Sequence, residues 1–322
     1  MIITRTPFRV SFAGGGSDLR EFYSRHGYGA VVSTAVTMYM YIVIHPYFHD
    51  KIRIKYSRTE DVECVDDILH PIVRECLKKV AIDKGIEIAS FADVPSGTGL
   101  GSSSSFTVGL LHALYAYRGE VVSKKRLAEE ACQIEIDLLG EPIGKQDQYA
   151  AAFGNMNYIR FNRDETVDVT QLLLTEKSRP LLEKRLRLYF VGGNRKAGDI
   201  LSEQKKNISG DDACSNLISM VSLADQLKDR LQEGDIDAVG GSLNSGWVLK
   251  KSLAAGISSA DIDRIYDEFI RLGAKGGKLL GAGGTGFLLV YAEDHDELSG
   301  RLPYRSLPFT IDREGTKLIH YE

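Results

Sequence analysis

The chain has 322 residues, of which 43% are hydrophobic and 26% charged, and this composition is typical of a folded protein with one large or two smaller domains. Forty basic and 44 acidic residues give a net charge of −4, which argues against a general nucleic-acid or membrane surface. Arg5 and Arg9 interrupt the N-terminal segment where a secretory signal needs an apolar run, and the four cysteines contain no C-x-x-C pair. We therefore expect a cytoplasmic protein with reduced thiols.

Strand patterns dominate the first 94 residues. In the segment TPFRVSF, the apolar Phe8, Val10 and Phe12 alternate with Arg9 and Ser11, which predicts a half-buried strand whose Arg9 points away from the core. Further strands are predicted at residues 29–44 (interrupted by turns), 52–56 and 86–94.

Two helices are predicted between residues 102 and 140. The first follows a serine run, and the second begins at the N-cap residue Ser123 and ends at Gly140. Glu135 lies on the apolar stripe of the second helix. Its carboxylate is therefore directed toward the buried side, where it needs a partner, a metal ion or a proton.

In the second half of the chain, the sequence pattern predicts fewer strands and more helices. The elements are a strand at 186–191, a helix at 197–206, two longer helices separated by Gly234, a helix at 261–272 and a strand at 287–292. A boundary near residue 180 would divide the chain into domains 1–180 and 181–322. Because the elements do not alternate as regular βαβ units, the sequence predicts an α+β fold.

Glycine is unusually frequent, at 32 residues, and ten of these glycines form three clusters that adjoin predicted strands. The middle cluster, PSGTGLGSSSS, lies between a strand and a helix, where exposed N–H groups and the helix dipole attract an anion such as phosphate. Its serine hydroxyls would add hydrogen bonds or a magnesium ligand. The alternative is a serine-capped helix after a flexible turn.

Two common nucleotide motifs are excluded. No G-x-x-x-x-G-K-[ST] sequence occurs, so the middle cluster is not a Walker A loop. The run Gly281–Gly286 matches G-x-G-x-x-G but precedes a predicted strand, which is the wrong context for a dinucleotide fold. A turn between a helix and a strand remains the alternative for this run.

Two carboxylates suit phosphoryl transfer, in which one group holds metal and another deprotonates the attacking hydroxyl. Glu135 faces the buried side and suits a metal ion, while Asp147, predicted in a polar loop after a helix, suits the hydroxyl. Each is equally compatible with a structural cap or ion pair. The segment RVSFAGGGSD places Arg9 and Asp18 around a loop that suits a sugar, with a simple hairpin as the alternative.

Four segments in this order, TPFRVSFAGGGSD, PSGTGLGSSSS, Glu135 with GKQDQY, and KLLGAGGTGF, resemble the motifs of the GHMP kinases. The resemblance extends from residue 4 to about residue 290. It implies an N-terminal domain like domain 2 of ribosomal protein S5, packed on a ferredoxin-like C-terminal domain, with ATP and the acceptor in the cleft between them.

The same resemblance implies roles for individual residues. Asp147 would be the catalytic base, with Arg9 beside the phosphoryl group. Mg²⁺ would be held by Ser103 and Glu135. The residues implied to bind ATP are Pro95, Gly97, Gly99, Leu100, Gly101, Ser102, Ser103, Ser104, Gly283 and Gly284. The residues implied to bind the acceptor are Gly15, Gly16, Ser17, Asp18 and Arg195.

Within this superfamily, the triple-glycine loop is similar to that of kinases acting on D-glycero-D-manno-heptose 7-phosphate and to the related fucokinase domain. The resemblance implies phosphorylation of the anomeric hydroxyl to a 1,7-bisphosphate, for nucleotide-activated heptose and a surface polysaccharide such as capsule or lipopolysaccharide. Candidates to hold the acceptor phosphate are Arg195, Lys196, Arg20 and Arg25.

Other functions remain open on the sequence. They are an L-fucose or other neutral-sugar kinase, an isoprenoid-acid kinase, and a non-catalytic sensor of sugar and ATP, against which Glu135 and Asp147 together argue. The expected partners are a small sugar phosphate and ATP, without nucleic acid or membrane. The oligomeric state stays open, with a homodimer as one candidate.

Overall fold

The structure is a computed structural model that describes residues 1–192, 197–208 and 210–322. The strands of the described residues are β1 (Ile2–Ala13), β2 (Tyr28–Pro46), β3 (Ile52–Lys55), β4 (Thr59–Val62), β5 (Ile86–Ala92), β6 (Met156–Asn162), β7 (Val167–Gln171), β8 (Leu186–Phe190), β9 (Gly276–Leu279), β10 (Phe287–Tyr291), β11 (Arg305–Pro308) and β12 (Lys317–Tyr321). The helices are α1 (Arg20–His26), α2 (Pro71–Val80), α3 (Ser102–Tyr117), α4 (Lys124–Cys132), α5 (Gln146–Phe153), α6 (Ser178–Arg185), α7 (Ala197–Asn207), α8 (Asp211–Gln232), α9 (Ala238–Lys251), α10 (Ala260–Arg271) and α11 (His295–Arg301).

The strands form two sheets, which confirms the predicted α+β class. The first sheet has the order β12-β1-β2-β5-β3-β4, with β6 paired to the other half of β2 and β7 paired to β6. The second sheet is antiparallel with the order β11-β8-β10-β9. A division near residue 180 separates the strands of the two sheets with one exception, because β12 returns to pair with β1.

The prediction that turns interrupt residues 29–44 is wrong. These residues belong to the single strand β2, whose pairing register with β1 shifts twice, between Pro7 and Phe8 and between Ser11 and Ala13. The strand stays extended because β1 pairs along it while β5 and β6 pair with its two halves, so that its backbone groups bond to neighbouring strands.

The strand β1 separates the core from the space between the two sheets. Phe8, Val10 and Phe12 are fully buried in the continuous hydrophobic core, as their alternation predicts. Arg9 and Ser11 lie on the opposite face but are also buried, with Arg9 only 7% exposed. That face is covered rather than solvated because Asp147 of α5 binds Arg9 and Lys278 of β9 donates to the carbonyl of Ser11.

The helix predicted at residues 123–140 has two parts. Ser123 caps α4 by accepting a hydrogen bond from Arg126 N at 3.2 Å, and a π-helical segment, Gln133–Leu138, continues the helix. This wider segment carries Glu135, whose side chain is fully buried as predicted. Inserted π-helical turns are common at functional sites. None of the helices in the described part of the chain is long and apolar enough to cross a membrane.

We expect His112 of α3 to make the stability of the fold sensitive to acid. Its Nδ1 lies 3.0 Å from Thr316 Oγ1, and burial, with a smaller effect of Lys124, lowers the pKa of His112 to about 4. An unfolded histidine titrates near pH 6.5, so the unfolded chain binds a proton at a higher pH than folded His112 does. The stability of the folded protein is therefore not reduced by this residue above pH 6.5, and it falls as the pH decreases from 6.5 toward 4. The loss is roughly 3 kcal/mol if the whole difference in pKa is realised.

Urea unfolding of the wild type and of His112→Gln between pH 4 and 7 measures this effect. The free energy of unfolding of the variant should vary less over this range, whereas the exposed His49→Gln serves as the control and should keep the wild-type slope. Equal slopes for all three proteins would exclude His112 as the cause.

Candidate active site

Three cavities form one cleft, and each shares lining residues with the next. The central and inner cavities are lined by residues from both halves of the chain, and the outer cavity by residues 40–106. The outer cavity has a volume of about 880 Å³ and adjoins the central cavity at Gly97, Ser102 and Ser103. The central cavity adjoins the inner cavity along a border that includes Arg9 and Asp147. The cleft is therefore a continuous path with this charged pair at the border of its last two parts.

The outer cavity suits a planar aromatic ligand. The rings of His70 and Phe106 stack with their centroids 5.1 Å apart, and Tyr56 contacts His70 edge-on at 4.9 Å. Met40 and Ile72 add apolar surface to the same lining. Aromatic and aliphatic side chains of this kind bind flat rings by stacking and by excluding water.

The central cavity is built around the N-terminus of α3. The helix begins within the serine run rather than after it, with Gly101 in the left-handed conformation (φ 74°) at its N-cap. The first N–H groups of a helix have no partner within the helix and attract an anion. The lining includes Gly97, Gly99, Gly101, Ser102, Ser103, Ser104 and Gly283. The geometry is that of a phosphate cradle.

Two glycine loops touch across the central cavity. A Cβ atom on Gly99 would lie 2.6 Å from the carbonyl oxygen of Leu280, and one on Gly281 would lie 2.5 Å from Gly99 Cα. The loop that contains Gly281 connects β9 to β10, so the alternative of a turn between a helix and a strand is wrong. Only glycine allows this approach of the two backbones.

Three residues predicted to bind ligands do not line these cavities. The carbonyl of Leu100 accepts the N–H of Arg9 at 3.0 Å, and the N–H of Gly284 donates to Ile257 O at 2.9 Å. The hydroxyl of Ser17 is buried and donates to Gly14 O at 2.7 Å. Each of these three groups bonds to the main chain, which stabilises the loops that form the cleft. Pro95 lines the outer cavity.

Glu135 lies beneath the central cavity, surrounded by neutral donors. Ser103 Oγ donates to its Oε1 at 3.0 Å and Gln148 Nε2 donates to its Oε2 at 2.6 Å. Burial raises the pKa of Glu135 to about 7 despite these hydrogen bonds. A buried carboxylate whose recorded donors are neutral is suited to a nearby cation.

These residues fit magnesium, which prefers hard oxygen ligands and keeps several waters. Ser103 and Glu135 offer a hydroxyl and a carboxylate oxygen. No group of three or more His, Cys, Asp or Glu side chains that could hold a metal ion is found in the described residues. An ion at this place would therefore need phosphate oxygens and water to complete its coordination.

Asp147 and Arg9 form a bidentate ion pair at the border of the central and inner cavities. Arg9 Nε donates to Asp147 Oδ1 at 2.6 Å and Nη2 donates to Oδ2 at 2.7 Å, while Nη1 donates to Gly99 O at 2.7 Å. Asp147 lies in the first turn of α5, so its prediction in a loop is wrong. The helix N-terminus and the guanidinium both favour a negative charge here.

The inner cavity is polar, and the loop that follows β1 forms part of its wall. Gly15, Gly16 and Asp18, which the resemblance implies to bind the acceptor, are among its lining residues. Asp18 Oδ1 accepts from Gly16 N at 3.0 Å and from Gln146 Nε2 at 3.1 Å, which joins this loop to α5. Burial, and then the nearby Asp147 carboxylate, raise the pKa of Asp18.

Several side chains of the inner cavity were not predicted from the sequence. Ser11, Gln146, Lys250 and Lys278 all line it, and Lys278 is only 3% exposed. Lys250 donates to the carbonyls of Leu279 and Gly281 and so supports the glycine loop. Lys278 lies in the segment KLLGAGGTGF, and Gln146 directly precedes Asp147. Their positions within or next to the motifs are the sequence feature that could have identified them as cavity residues.

The candidates for binding an acceptor phosphate are not brought together in the described cleft. Arg195 and Lys196 lie outside the described residues. Arg20 pairs with Asp137 at 3.0 Å and Glu165 at 3.1 Å and is not part of the inner lining, nor is Arg25. The basic residues of that lining, in the part of the chain that the structure describes, are Arg9, Lys250 and Lys278.

Comparisons with known proteins agree with this geometry. The family model for the N-terminal domain of GHMP kinases matches residues 68–155, and the model for their C-terminal part matches residues 227–304. Together the two segments include just over half of the chain.

Relatives and solved structures give the same picture. D-glycero-alpha-D-manno-heptose 7-phosphate kinase of Campylobacter jejuni is 29% identical over 91% of this chain and 89% of its own. The bifunctional fucokinase/GDP-fucose pyrophosphorylase of Arabidopsis thaliana is 26% identical over 90% of this chain but 30% of its own. The crystal structure of a D-glycero-D-manno-heptose 1-phosphate kinase from Bacteroides thetaiotaomicron has a TM-score of 0.81 at 24% identity over the full length of both chains. That structure confirms the fold.

Proposed function

Because the chain belongs to the GHMP kinase family and is therefore a phosphotransferase with an alcohol acceptor, we propose that it transfers phosphate from ATP to D-glycero-D-manno-heptose 7-phosphate. The anomeric hydroxyl would accept the phosphoryl group, which gives the 1,7-bisphosphate. The name of the Campylobacter jejuni relative supports this acceptor. The product would supply the synthesis of nucleotide-activated heptose for a surface polysaccharide.

The observation that carries the proposal is the position of Asp147 and Arg9 between two cavities of different character. The central cavity presents helix N–H groups and glycine loops that suit the phosphates of ATP, and the aromatic outer cavity suits its base. The inner cavity presents hydroxyl, amide and ammonium groups that suit a polyhydroxylated acceptor. A phosphoryl group that moves from one to the other passes this pair.

In the proposed reaction, Asp147 accepts the proton of the acceptor hydroxyl while the oxygen forms its bond to phosphorus and the bond to the ADP leaving oxygen breaks. Its carboxylate keeps free lone pairs although Arg9 binds both oxygens. Arg9 holds the carboxylate in place and supplies positive charge beside the transferred group. Magnesium, held by Ser103 and Glu135, would neutralise phosphate charge.

An acceptor screen tests the proposed function. The purified protein is incubated with ATP and Mg²⁺ and, in turn, heptose 7-phosphate, L-fucose, D-galactose and mevalonate, and release of ADP is measured. We expect kcat/KM to be highest for heptose 7-phosphate. Turnover of L-fucose without turnover of heptose 7-phosphate would reject the proposed acceptor.

A neutral-sugar kinase is the second candidate, and one observation favours it. Arg20 and Arg25 lie outside the inner lining, so the described residues bring none of the predicted phosphate-binding residues into that cavity. The fucokinase relative is consistent with this alternative. The same screen decides between the two.

We expect Ser103→Ala to weaken the binding of Mg·ATP more than it slows the chemical step. The substitution removes one oxygen ligand and a hydrogen bond to Glu135, so KM for Mg·ATP should rise about tenfold, which corresponds to roughly 1.4 kcal/mol. Steady-state kinetics at varied Mg²⁺ concentration measure the effect. Ser219→Ala, whose hydroxyl bonds to the carbonyl of Ser215 within α8, is the control and should leave KM unchanged.

A further inference from the structure

Three polar side chains converge on the space beside Gly15. A Cβ atom on Gly15 would lie 3.5 Å from Ser11 Oγ, 3.7 Å from Lys278 Nζ and 3.9 Å from Gln146 Nε2. These residues come from β1, β9 and the first position of α5, which are distant in the sequence. They all line the inner cavity. The polar atoms of three distant segments therefore face one point of the inner cavity, beside a residue that has no side chain to cover them.

Two atoms of this cluster lack hydrogen-bond partners. Ser11 Oγ and Gln146 Oε1 are both buried and make no hydrogen bond with the protein. The orientation of the Gln146 amide follows from its neighbour, because its Nε2 donates to Asp18 Oδ1 and its carbonyl oxygen is left over. Leaving buried polar atoms without partners is unfavourable, so a ligand that pairs them gains binding energy.

The donors and acceptors of the cluster select the chemistry of the ligand. Lys278 can only donate and Gln146 Oε1 can only accept, while the Ser11 hydroxyl can do both. A hydroxyl group matches all three, because its oxygen accepts from Lys278 while its proton is donated to Gln146. A phosphate dianion has no proton to donate to Gln146 Oε1 and would be repelled by it. Lys278 itself donates to Ser11 O at 3.2 Å, which holds the ammonium group in place.

We propose that Ser11, Gln146 and Lys278 form a subsite for a hydroxyl group of the acceptor sugar, other than the hydroxyl that is phosphorylated. This inference rests on the proposed function, because it requires that the inner cavity bind the acceptor. It assigns to these three residues the recognition of a sugar hydroxyl, and it places the acceptor phosphate elsewhere. Gly15 contributes by leaving the subsite open.

The first test compares two serines whose buried hydroxyl groups both lack hydrogen-bond partners. Ser11 and Ser33 are paired on neighbouring strands, and both have buried hydroxyls without partners, but Ser33 is not part of the inner lining. Neither Ser11→Ala nor Ser33→Ala breaks a hydrogen bond within the protein, so both variants should keep the wild-type thermal midpoint or exceed it. Only Ser11→Ala should raise KM for the acceptor, by about fivefold to tenfold, with KM for ATP unchanged.

The second test fills the subsite. Gly15→Ala brings a methyl group to within ordinary contact distance of its neighbours, so the free protein should fold normally. The methyl group lies against all three polar side chains and obstructs the approach of a hydroxyl to them, so KM for the acceptor should rise at least tenfold while KM for ATP stays within about twofold. Gly241→Ala, on α9 with open space around it, is the control.

The outcomes separate this inference from the proposed function. The acceptor in both tests is heptose 7-phosphate, or L-fucose if only L-fucose is turned over. Selective effects of Ser11→Ala and Gly15→Ala with L-fucose would support the subsite and reject the heptose acceptor. Turnover of heptose 7-phosphate with unchanged acceptor KM in both variants, or with equal changes in KM for ATP, would overturn the subsite alone. A wild-type protein that turns over neither sugar overturns both.

Discussion

Asp147→Asn is expected to lower kcat about 10²-fold or more while the protein still binds ATP, which is the scale of general-base catalysis. The amide has nearly the shape of the carboxylate but does not accept the proton of the attacking hydroxyl. One of its two terminal atoms also becomes a donor, so the bidentate contact with Arg9 is lost. Turnover is measured by ADP release, and ATP binding by calorimetry without acceptor.

The control for this prediction is Asp267→Asn, an exposed carboxylate of α10, which removes the same charge from the surface. It should leave kcat and ATP affinity at the wild-type values. A kcat of Asp147→Asn within tenfold of the wild type would mean that another group accepts the proton. Loss of ATP binding would instead assign Asp147 to the nucleotide site.

Gly99→Ala is expected to reduce ATP affinity at least tenfold and to destabilise the protein. Gly99 has φ of +88°, which costs an alanine roughly 1–2 kcal/mol, and the added methyl group would overlap the carbonyl of Leu280. The glycine loop after β9 would have to move away, which widens the central cavity. The strain at residue 99 would also shift its carbonyl oxygen, which accepts a hydrogen bond from Arg9 Nη1. Calorimetry with ATP and urea unfolding measure the two effects.

Gly85→Ala isolates the backbone strain from the steric overlap. Gly85 has φ of +71° and no atom near the position of an added Cβ, so this variant should lose only about 1–2 kcal/mol of stability and keep the wild-type ATP affinity. If Gly99→Ala and Gly85→Ala behave alike, then the close approach of the two loops does not contribute to nucleotide binding.

The local elements of this protein could be read largely from the sequence. The alternation around Phe8, the cap at Ser123 and the buried Glu135 are patterns of neighbouring residues, and the structure contains all three. The long strand β2 was misjudged because its continuity depends on strands that pair with it from distant parts of the chain. Short-range periodicity carries no information about such partners.

The outline of the cleft could also be anticipated, since glycine loops and helix N-termini have their own sequence signals. The glycines of the middle cluster line the central cavity, and the loop after β1 lines the inner cavity. Ser17 and Gly284 do not line these cavities, because a motif shows which residues are near a ligand but not which polar groups the backbone already occupies.

By itself, the sequence determined the α+β class, the glycine-rich loop before α3 and the two carboxylates suited to phosphoryl transfer, because each depends on residues close together along the chain. Only the tertiary structure decided that Arg9 binds Asp147 and that Ser11 and Lys278 meet at Gly15. These contacts join β1 to α5 and to β9. The contact of Arg9 with Asp147 requires α5 to pack on β1, and the contact with Lys278 requires the second sheet to meet the first. Residues of these types are common in proteins, so the order of residues along the chain does not show which of them meet.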